Sequence, residues 1–556
     1  MERIFELMEL ALSAYSDEQI RAYFDQVRQD RLREHGFPRL TANIGILIAH
    51  GRRQDLLPIF LEMMEFCCRS IPNGKAANDF SVREIVCCIR EVERSGVADV
   101  ASIARWKGYL ATIDPMICYS QKATAPTDKL KNWALFTGVS EYFRMEMGVG
   151  GSEAFIDIQI ASQLQWLDEN DMYMDGEGDI HHPVMYDLVP RALFAMLLSA
   201  GYRGRYYGHL DACLKRTGLM MLKMQSPNGE MWFGGRSNQF VHNETNLILL
   251  LEYEARRYAA AGDLALAGQF KAAAQRALSV VEQWLSLKPI YHTKNRFPTE
   301  SQYGCEKYAY FNKYMITVAS FLYAAYLVCD DTIPVGQLQD TAPACFETTY
   351  HFHKFFMKAG GYGLEFDLNG DPHYDASGLG RVHRVGAPGA ICMSLPCPKA
   401  PVFTVDIPPA ALSLCPGILV DGAWKFATEE DTQNTVVDSC EGENYATATV
   451  RSRFANGTEV LASYRVDADG VKIHIAGQED VAYLLPAFAF DGETHSQIVA
   501  TENALRISYG GWVCRYSVSG DLKDLQLLAP NRNGHYAAYF AAANKNLDIT
   551  IEIMKG

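Results

Sequence analysis

The sequence predicts a chain of two parts, an (α/α)6 toroid over residues 1–358 and an antiparallel β-sandwich over 359–556. Three observations predict this. Apolar residues recur at helical spacing through the first two thirds. After about Gly360 the texture changes to runs of β-formers separated by DG, NG and GG turns. The connections between helices alternate short and long.

The helical reading rests on stretches such as LLPIFLEMMEFCCR, SVREIVCCIREVE, RALFAMLLSA and MITVASFLYAAYLV. Short connections fall near residues 51–55, 95–99, 148–152, 201–208 and 260–263. Long ones cover 71–80, 114–128, 168–183, 225–243 and 288–305. Antiparallel helices put successive connections at opposite ends, so strict alternation gathers every long loop on one face. Six helical hairpins follow, the last starting near Tyr308 and returning through 341–357. An irregular helical array is the alternative; a phase that holds over five successive pairs favours a closed ring. The second part contains VFTVDI, TATVRSRF, EVLASYRVD, VKIHIAG, ALRISYGGWVCRYSV and LDITIEI, which alternate or cluster β-formers as a sandwich requires.

Composition narrows the function. At 48% hydrophobic and 21% charged, the 556 residues can build a large core. The net charge of -15 makes nucleic acid and anionic membranes poor partners, although a local basic cluster could still hold an anionic small molecule. No apolar run is long enough to span a bilayer. MERIFELMELALSAYSDEQ carries acids through its first apolar stretch, as an amphipathic helix does and a signal peptide does not. The 14 cysteines show no zinc-ligand spacing, and the expectation is a cytoplasmic protein with reduced, buried thiols. No metal and no cofactor are expected: P-loop, dinucleotide and GxSxG signatures do not occur. A homodimer is compatible with the sequence, which does not fix the oligomeric state.

The long loops concentrate polar chemistry. Asp79 in NGKAANDF is either a rim carboxylate or part of a helix cap. Asn132 and Trp133 pair an amide with an aromatic plate, a way to hold a sugar ring, although Trp133 could equally be core. DENDMYMDGEGDIHHPVMYD offers Asp175, Glu177, Asp179, His181, His182 and Tyr186. Paired carboxylates suit glycoside hydrolysis, whereas His and Tyr suit proton abstraction beside a uronate carboxylate. In SPNGEMWFGGRSNQFVHNE, Gly234 and Gly235 permit close backbone approach, and Arg236 can grip a carboxylate with its planar fork. His242 and Glu244 open the next helix. The loop 291–314 adds His292, Lys294, Arg296, Glu300, Glu306, Tyr308 and Tyr310; His373, Arg381 and His383 follow at the junction of the two parts.

Taken together, NW before the third hairpin, YMDGEGDIHHPVMYD, SPNGE…GGRSNQF and the β-rich tail resemble the heparinase II/III-like uronate-cleaving enzymes and a toroidal β-glucuronidase family of the six-hairpin glycosidases. The resemblance implies a toroid with a sandwich and a uronate-containing oligosaccharide or glycoside as substrate. In those lyases an Asn is followed by His, and a Tyr follows an acidic DG loop; Asn132 and Tyr186 match, but Trp133 stands in the histidine's place. RVHRVGAPGA replaces the HxHxD pattern of the tail. These departures favour hydrolysis. The first expectation is therefore a glycosidase releasing β-glucuronate. Asp175 or Glu177 would face Asp79, Glu300 or Glu306, Arg236 would clamp the sugar carboxylate, and Asn132, Trp133, His181, His242 and Arg296 would bind substrate. The second is a lyase with Tyr186 and His182 or His242 as acid and base. The third is a glycan-binding protein without turnover.

Overall fold

The computed structural model describes every residue except 1, 31, 33, 75–77, 177–179, 339–341 and 429–430. Its first part is helical: α1 (Glu2–Leu12), α2 (Asp17–Asp30), α3 (Gly36–Ala49), α4 (Leu57–Ser70), α5 (Ser81–Ser95), α6 (Val100–Ala111), the single turn α7 (Pro115–Cys118), α8 (Trp133–Glu146), α9 (Glu153–Leu164), α10 (Val184–Ser199), α11 (Tyr207–Met224), α12 (Val241–Ala260), α13 (Leu264–Leu285) and α14 (Phe311–Val328). Six of these, α3, α5, α8, α10, α12 and α14, pack in that order, and α14 returns to α3 to close a ring. Helices α4, α6, α9, α11, α13 and α1 form the outer layer. The inner helices are apolar on most sides because they are covered from within and without; nearly every residue of α3 and α10 is buried.

The sixth hairpin differs from the expected one. Residues 342–357 do not return as a helix; strands take 344–347 and 354–357, and α1 fills the outer position beside α14. The physical reason lies in α1 itself. Ile4, Phe5, Leu7, Met8, Ala11 and Leu12 are buried on one face, and Phe5 packs 4.7 Å from Tyr326 of α14. An amphipathic helix at the chain start completes a layer that the chain end would otherwise have to supply.

The β part therefore begins at Ala344, earlier than the expected boundary at 358/359. Strands β1 (Ala344–Glu347), β2 (Lys354–Ala359), β3 (Tyr362–Asp367) and β4 (Gly378–Arg384) form an antiparallel sheet in that order. A larger antiparallel sheet contains β5 (Pro416–Val420), β6 (Ala423–Phe426), β7 (Gln433–Glu441), β8 (Ala446–Arg453), β9 (Glu459–Asp467), β10 (Gly470–Phe490), β11 (Gln497–Ala500), β12 (Ala504–Tyr509), β13 (Trp512–Val518), β14 (Asp521–Asn531) and β15 (Gly534–Lys555). Its main path runs β11-β12-β13-β15-β10-β9-β8-β7. The two sheets share one core, with Phe366 edge-on to Tyr464 at 4.8 Å. The molecule is thus a helical toroid followed by an antiparallel β-sandwich.

Strand β2 joins the two cores. Its alternation sends Phe355 and Met357 into the sandwich and Phe356 into the helical core. Beneath it runs a seam of buried ion pairs: Lys354 with Asp367 at 2.6 Å, Arg381 with Glu365 at 3.2 Å, and Lys294 with Glu244 at 2.5 Å. The seam anchors the loop 225–243, since the Phe233 amide donates to Glu365 and the Gly235 amide to Asp375.

Candidate active-site cleft

A cavity of about 570 Å3 opens at the long-loop end of the ring. Every inner helix begins there, and each contributes lining from its first turns or the residues just before: His35, Phe80, Asn132, Tyr186, His242 and Tyr314 represent the six. Helix N-termini present unpaired amides and a partial positive charge. Arg39, Lys131, Arg236 and Lys313 add four cationic side chains to the lining, against Asp175 as its single carboxylate among the described residues. Arg39 is matched by Glu84 at 3.0 Å behind the wall.

Asp175 is the organising group. Its side chain is 1% exposed and pairs with Arg236, and it accepts a hydrogen bond from Asn132 Nδ2 at 3.0 Å. Asn132 precedes α8 but makes no side-chain cap there; its amide is spent on Asp175 instead. Burial holds the Asp175 carboxyl above the ordinary range, with Arg236, Lys131 and Asn132 pulling the other way. Trp133 begins α8 half-buried, its ring edge-on to Phe80 at 4.7 Å.

Arg236 lies over the Tyr186 ring, 4.5 Å from its centre. The loop reaches this position through Gly234 and Gly235, both at positive φ. A Cβ at Gly235 would stand 2.8 Å from Pro183 Cα, so glycine lets the arginine loop pass directly over the start of α10. Burial raises the Tyr186 hydroxyl above its ordinary value more than the guanidinium lowers it, so the phenol is protonated at neutral pH.

Ser237 connects the hydroxyls. Its Oγ lies 3.2 Å from Tyr186 Oη and 2.9 Å from Tyr308 Oη. The residue is held at φ 57, a conformation that costs a non-glycine residue about 1–3 kcal/mol. Two contacts hold it: its amide donates to Glu306 at 2.7 Å, and its carbonyl accepts from Asn243 at 3.0 Å. His242, in the first turn of α12, sits between Phe240 and Tyr314, with ring centres 5.6 and 4.8 Å away. Burial, reinforced by His292, Arg39 and Lys294, pushes its imidazole down to about 3, and its Nδ1 has no hydrogen-bond partner. The ring lines the cavity in its neutral form, with Nδ1 itself closed to solvent.

Asn132, Trp133, Asp175, Tyr186, Arg236 and His242 thus line one cavity. Other expected site residues lie elsewhere. Asp79 is fully buried and accepts from Ser120 Oγ at 2.7 Å and the Gln121 amide at 2.8 Å; it fastens a loop instead of facing substrate. Glu300 is exposed in a single 3-10 turn and takes no part in the cavity. Glu306 is 4% exposed and paired with Arg532 at 2.7 Å, so it supports Ser237 from behind. His181 and His182 turn away from the cleft towards His353 and His351 in the seam, at 5.0 and 5.6 Å between ring centres. Arg296 pairs with Glu493 at 2.9 Å and Asp491 at 3.5 Å beside the sandwich. Arg381 and His383 are buried in the same seam, and His373 is exposed, bonded to the Ala400 carbonyl. Glu177 and Asp179 lie outside the described residues.

Sequence reasoning passed over His35, Arg39, Lys131, Lys313, Tyr314 and the junction serine 237, all at the cavity. The run KYAYFNKY, with aromatic and basic residues alternating into the first turn of α14, carried a usable signal for two of them, Lys313 and Tyr314. Nothing local marked His35. Among the described residues, no group of three or more His, Cys, Asp or Glu side chains is arranged to hold a metal ion.

No protein-family model matches the chain, and no curated protein is similar to it. Solved structures are. A heparan sulfate lyase from Pedobacter heparinus aligns at 10% identity and TM-score 0.47, over 93% of this chain and 75% of its own. A heparinase III product aligns at 9% and 0.48, over 94% and 78%. A chondroitin AC lyase from Streptomyces coelicolor A3, in complex with chondroitin sulphate, aligns at 10% and 0.48, over 99% and 79%. These are similar in kind to the enzymes the sequence motifs resemble. At such identities and TM-scores the likeness is one of fold alone.

Proposed function

We propose that this chain cleaves uronate-containing glycans by β-elimination. One observation carries the proposal: a protonated tyrosine, a neutral imidazole and a guanidinium meet at one cavity, whose single described carboxylate is already engaged. Elimination needs what this set offers. Arg236, fixed by Asp175, has further N–H donors for the uronate carboxylate, and six helix N-termini favour the anion. Withdrawing charge from that carboxylate acidifies the neighbouring C–H. The His242 imidazole takes that proton, and the electron pair forms a carbon–carbon double bond as the glycosidic C–O bond breaks. Tyr186 donates its proton to the departing oxygen, with Ser237 and Tyr308 as hydrogen-bond partners able to restore it.

Hydrolysis is the second reading. Asp175, with its carboxyl raised by burial, has the character of a general acid. It would need a second carboxylate across the sugar; Asp79, Glu300 and Glu306 are engaged or remote. Incubation with saturated uronate oligosaccharides separates the two. Elimination gives an unsaturated sugar with new ultraviolet absorbance, whereas hydrolysis releases saturated uronic acid and no absorbance. Turnover without absorbance refutes the proposal, and no turnover on any uronate glycan leaves only binding.

A further inference from the structure

A second cavity, of about 310 Å3, lies where α13 meets the sandwich and shares no lining residue with the cleft. We propose that it binds an uncharged sugar ring. Two half-buried indoles contribute to its walls from different elements: Trp284 in the last turn of α13 and Trp512 at the start of β13. Aromatic faces are the surfaces on which the C–H faces of sugars stack.

The polar lining mixes amides, carboxylates, a serine and two cations. Asn533 is 6% exposed; its Nδ2 donates to Gln239 at 3.2 Å, and its Oδ1 has no partner. Asn228 donates Nδ2 to the Ala387 carbonyl at 3.0 Å, and its Oδ1 is likewise unmatched. Both oxygens are closed to solvent, so the polar groups within reach of a ligand are the other lining side chains, Glu230, Lys294, Ser394 and Asp491 among them. A polyhydroxylated ring bonds such groups with its hydroxyls and lays a C–H face on an indole, which water does not do.

Charge balance fixes the class of sugar. Lys294 lies between Glu230 at 3.3 Å and Glu244 at 2.5 Å, and Arg296 between Asp491 and Glu493. Each cation at this cavity is answered, unlike the cationic cleft, so a uronate gains little here. Gly389 keeps the wall low: a Cβ there would come 2.7 Å from Glu230 Oε1 and 3.1 Å from His383 Nε2. The volume is near the lower end of small-molecule sites, about 300–1,000 Å3, and suits one ring. None of this depends on the chemistry of the cleft.

Saturation-transfer NMR on the full chain tests it, with methyl β-D-glucopyranoside and N-acetyl-D-glucosamine as probes and glucuronate as the charged comparison. Transfer to a neutral probe should persist in Trp133→Ala, which alters the cleft, and fall at least fivefold in Trp512→Ala and in Asn228→Ala. The second variant, on a half-buried turn, keeps the test open if Trp512→Ala fails to fold. Crystals soaked in the same glucoside should show the ring between Trp284 and Trp512. No transfer to either neutral probe overturns the proposal. So does transfer lost in Trp133→Ala but retained in Asn228→Ala, which puts the sugar in the cleft.

Discussion

Replacing Tyr186 by Phe isolates the proton from everything else the residue does. The phenyl ring still lies under Arg236, 4.5 Å from the guanidinium carbon. What disappears is one hydroxyl and its contact with Ser237 at 3.2 Å. A hydrogen bond of that kind is worth about 1 kcal/mol to the fold, so the melting temperature should move by roughly 1 °C in a chain this long. A positioned proton donor is worth far more to the reaction, about 10²–10⁴ in rate, or roughly 3–5 kcal/mol at about 1.36 kcal/mol per decade. The expected result is a fall in kcat/KM of about 10²–10⁴ with the melting temperature almost unchanged. Ultraviolet absorbance of the unsaturated product gives the rate, and calorimetry gives the stability. If Tyr186→Phe keeps more than about a tenth of the wild-type kcat/KM, the loss is no larger than one hydrogen bond can account for, and Tyr186 is not the proton donor.

Three further outcomes follow from the same geometry. Asp175→Asn removes the charge that fixes Arg236; losing a charge-assisted bond of about 1.5–3 kcal/mol should lower kcat/KM by roughly 10–150-fold, with Asp175→Glu partly restoring it. His242 must be neutral to accept a proton, and burial pushes its value down to about 3. Protonation therefore removes the base only as the pH falls through that value, and the acid limb of kcat/KM should lie below about pH 4, not near the ordinary histidine value of about 6.5. An acid limb at about pH 6–7, in a chain still folded by circular dichroism, contradicts His242 as base. Glu306→Gln leaves Arg532, 1% exposed, without its buried counter-charge. Breaking such a pair costs about 3–5 kcal/mol, a melting shift of roughly 3–4 °C if the chain unfolds as one unit, and activity should fall too as the Ser237 amide exchanges a carboxylate for a weaker, neutral acceptor.

The fold was largely legible because its signals are local. Helical periodicity, strand alternation and loop length are each read within tens of residues, and alternation of loop length alone gathered residues from four long connections at one mouth. The helix that completes the sixth hairpin was not legible, because α1 and α14 meet across most of the helical part of the chain and nothing in residues 2–12 states what that apolar face will cover. The same holds inside the site. Glu306 reads as a free loop carboxylate until Arg532 arrives from 226 positions later. His182 and Arg296 sit on loops that also carry cleft residues or lie beside them, but each loop has one side towards the cavity and one towards the sandwich. Local sequence does not mark which side a residue takes. Asp79 differs from both expectations, rim carboxylate and helix cap: α5 has no side-chain cap, and the carboxylate is spent on Ser120 and Gln121, 41 and 42 positions later.

The charge of the molecule and the charge of its cleft have opposite signs, and the topology explains how both are possible. A chain at -15 repels anions at long range, but at physiological ionic strength exposed charges are screened beyond about 8 Å. Within that distance the cavity presents Lys131, Arg236 and Lys313 together with the starts of six helices. Each helix terminus favours an anion by about 0.3–1 kcal/mol when exposed, and by more when partly buried. Their agreement in direction is a consequence of hairpin alternation: if one inner helix starts at this mouth, all of them do. The inner helices thus do two things with one arrangement, closing the core and setting a positive field where the long loops already deliver the tyrosine, the histidine and the arginine. The carboxylate of a uronate is a part of a glycan that such a field can select, which is why we propose the anionic sugar for the cleft and an uncharged one for the balanced cavity.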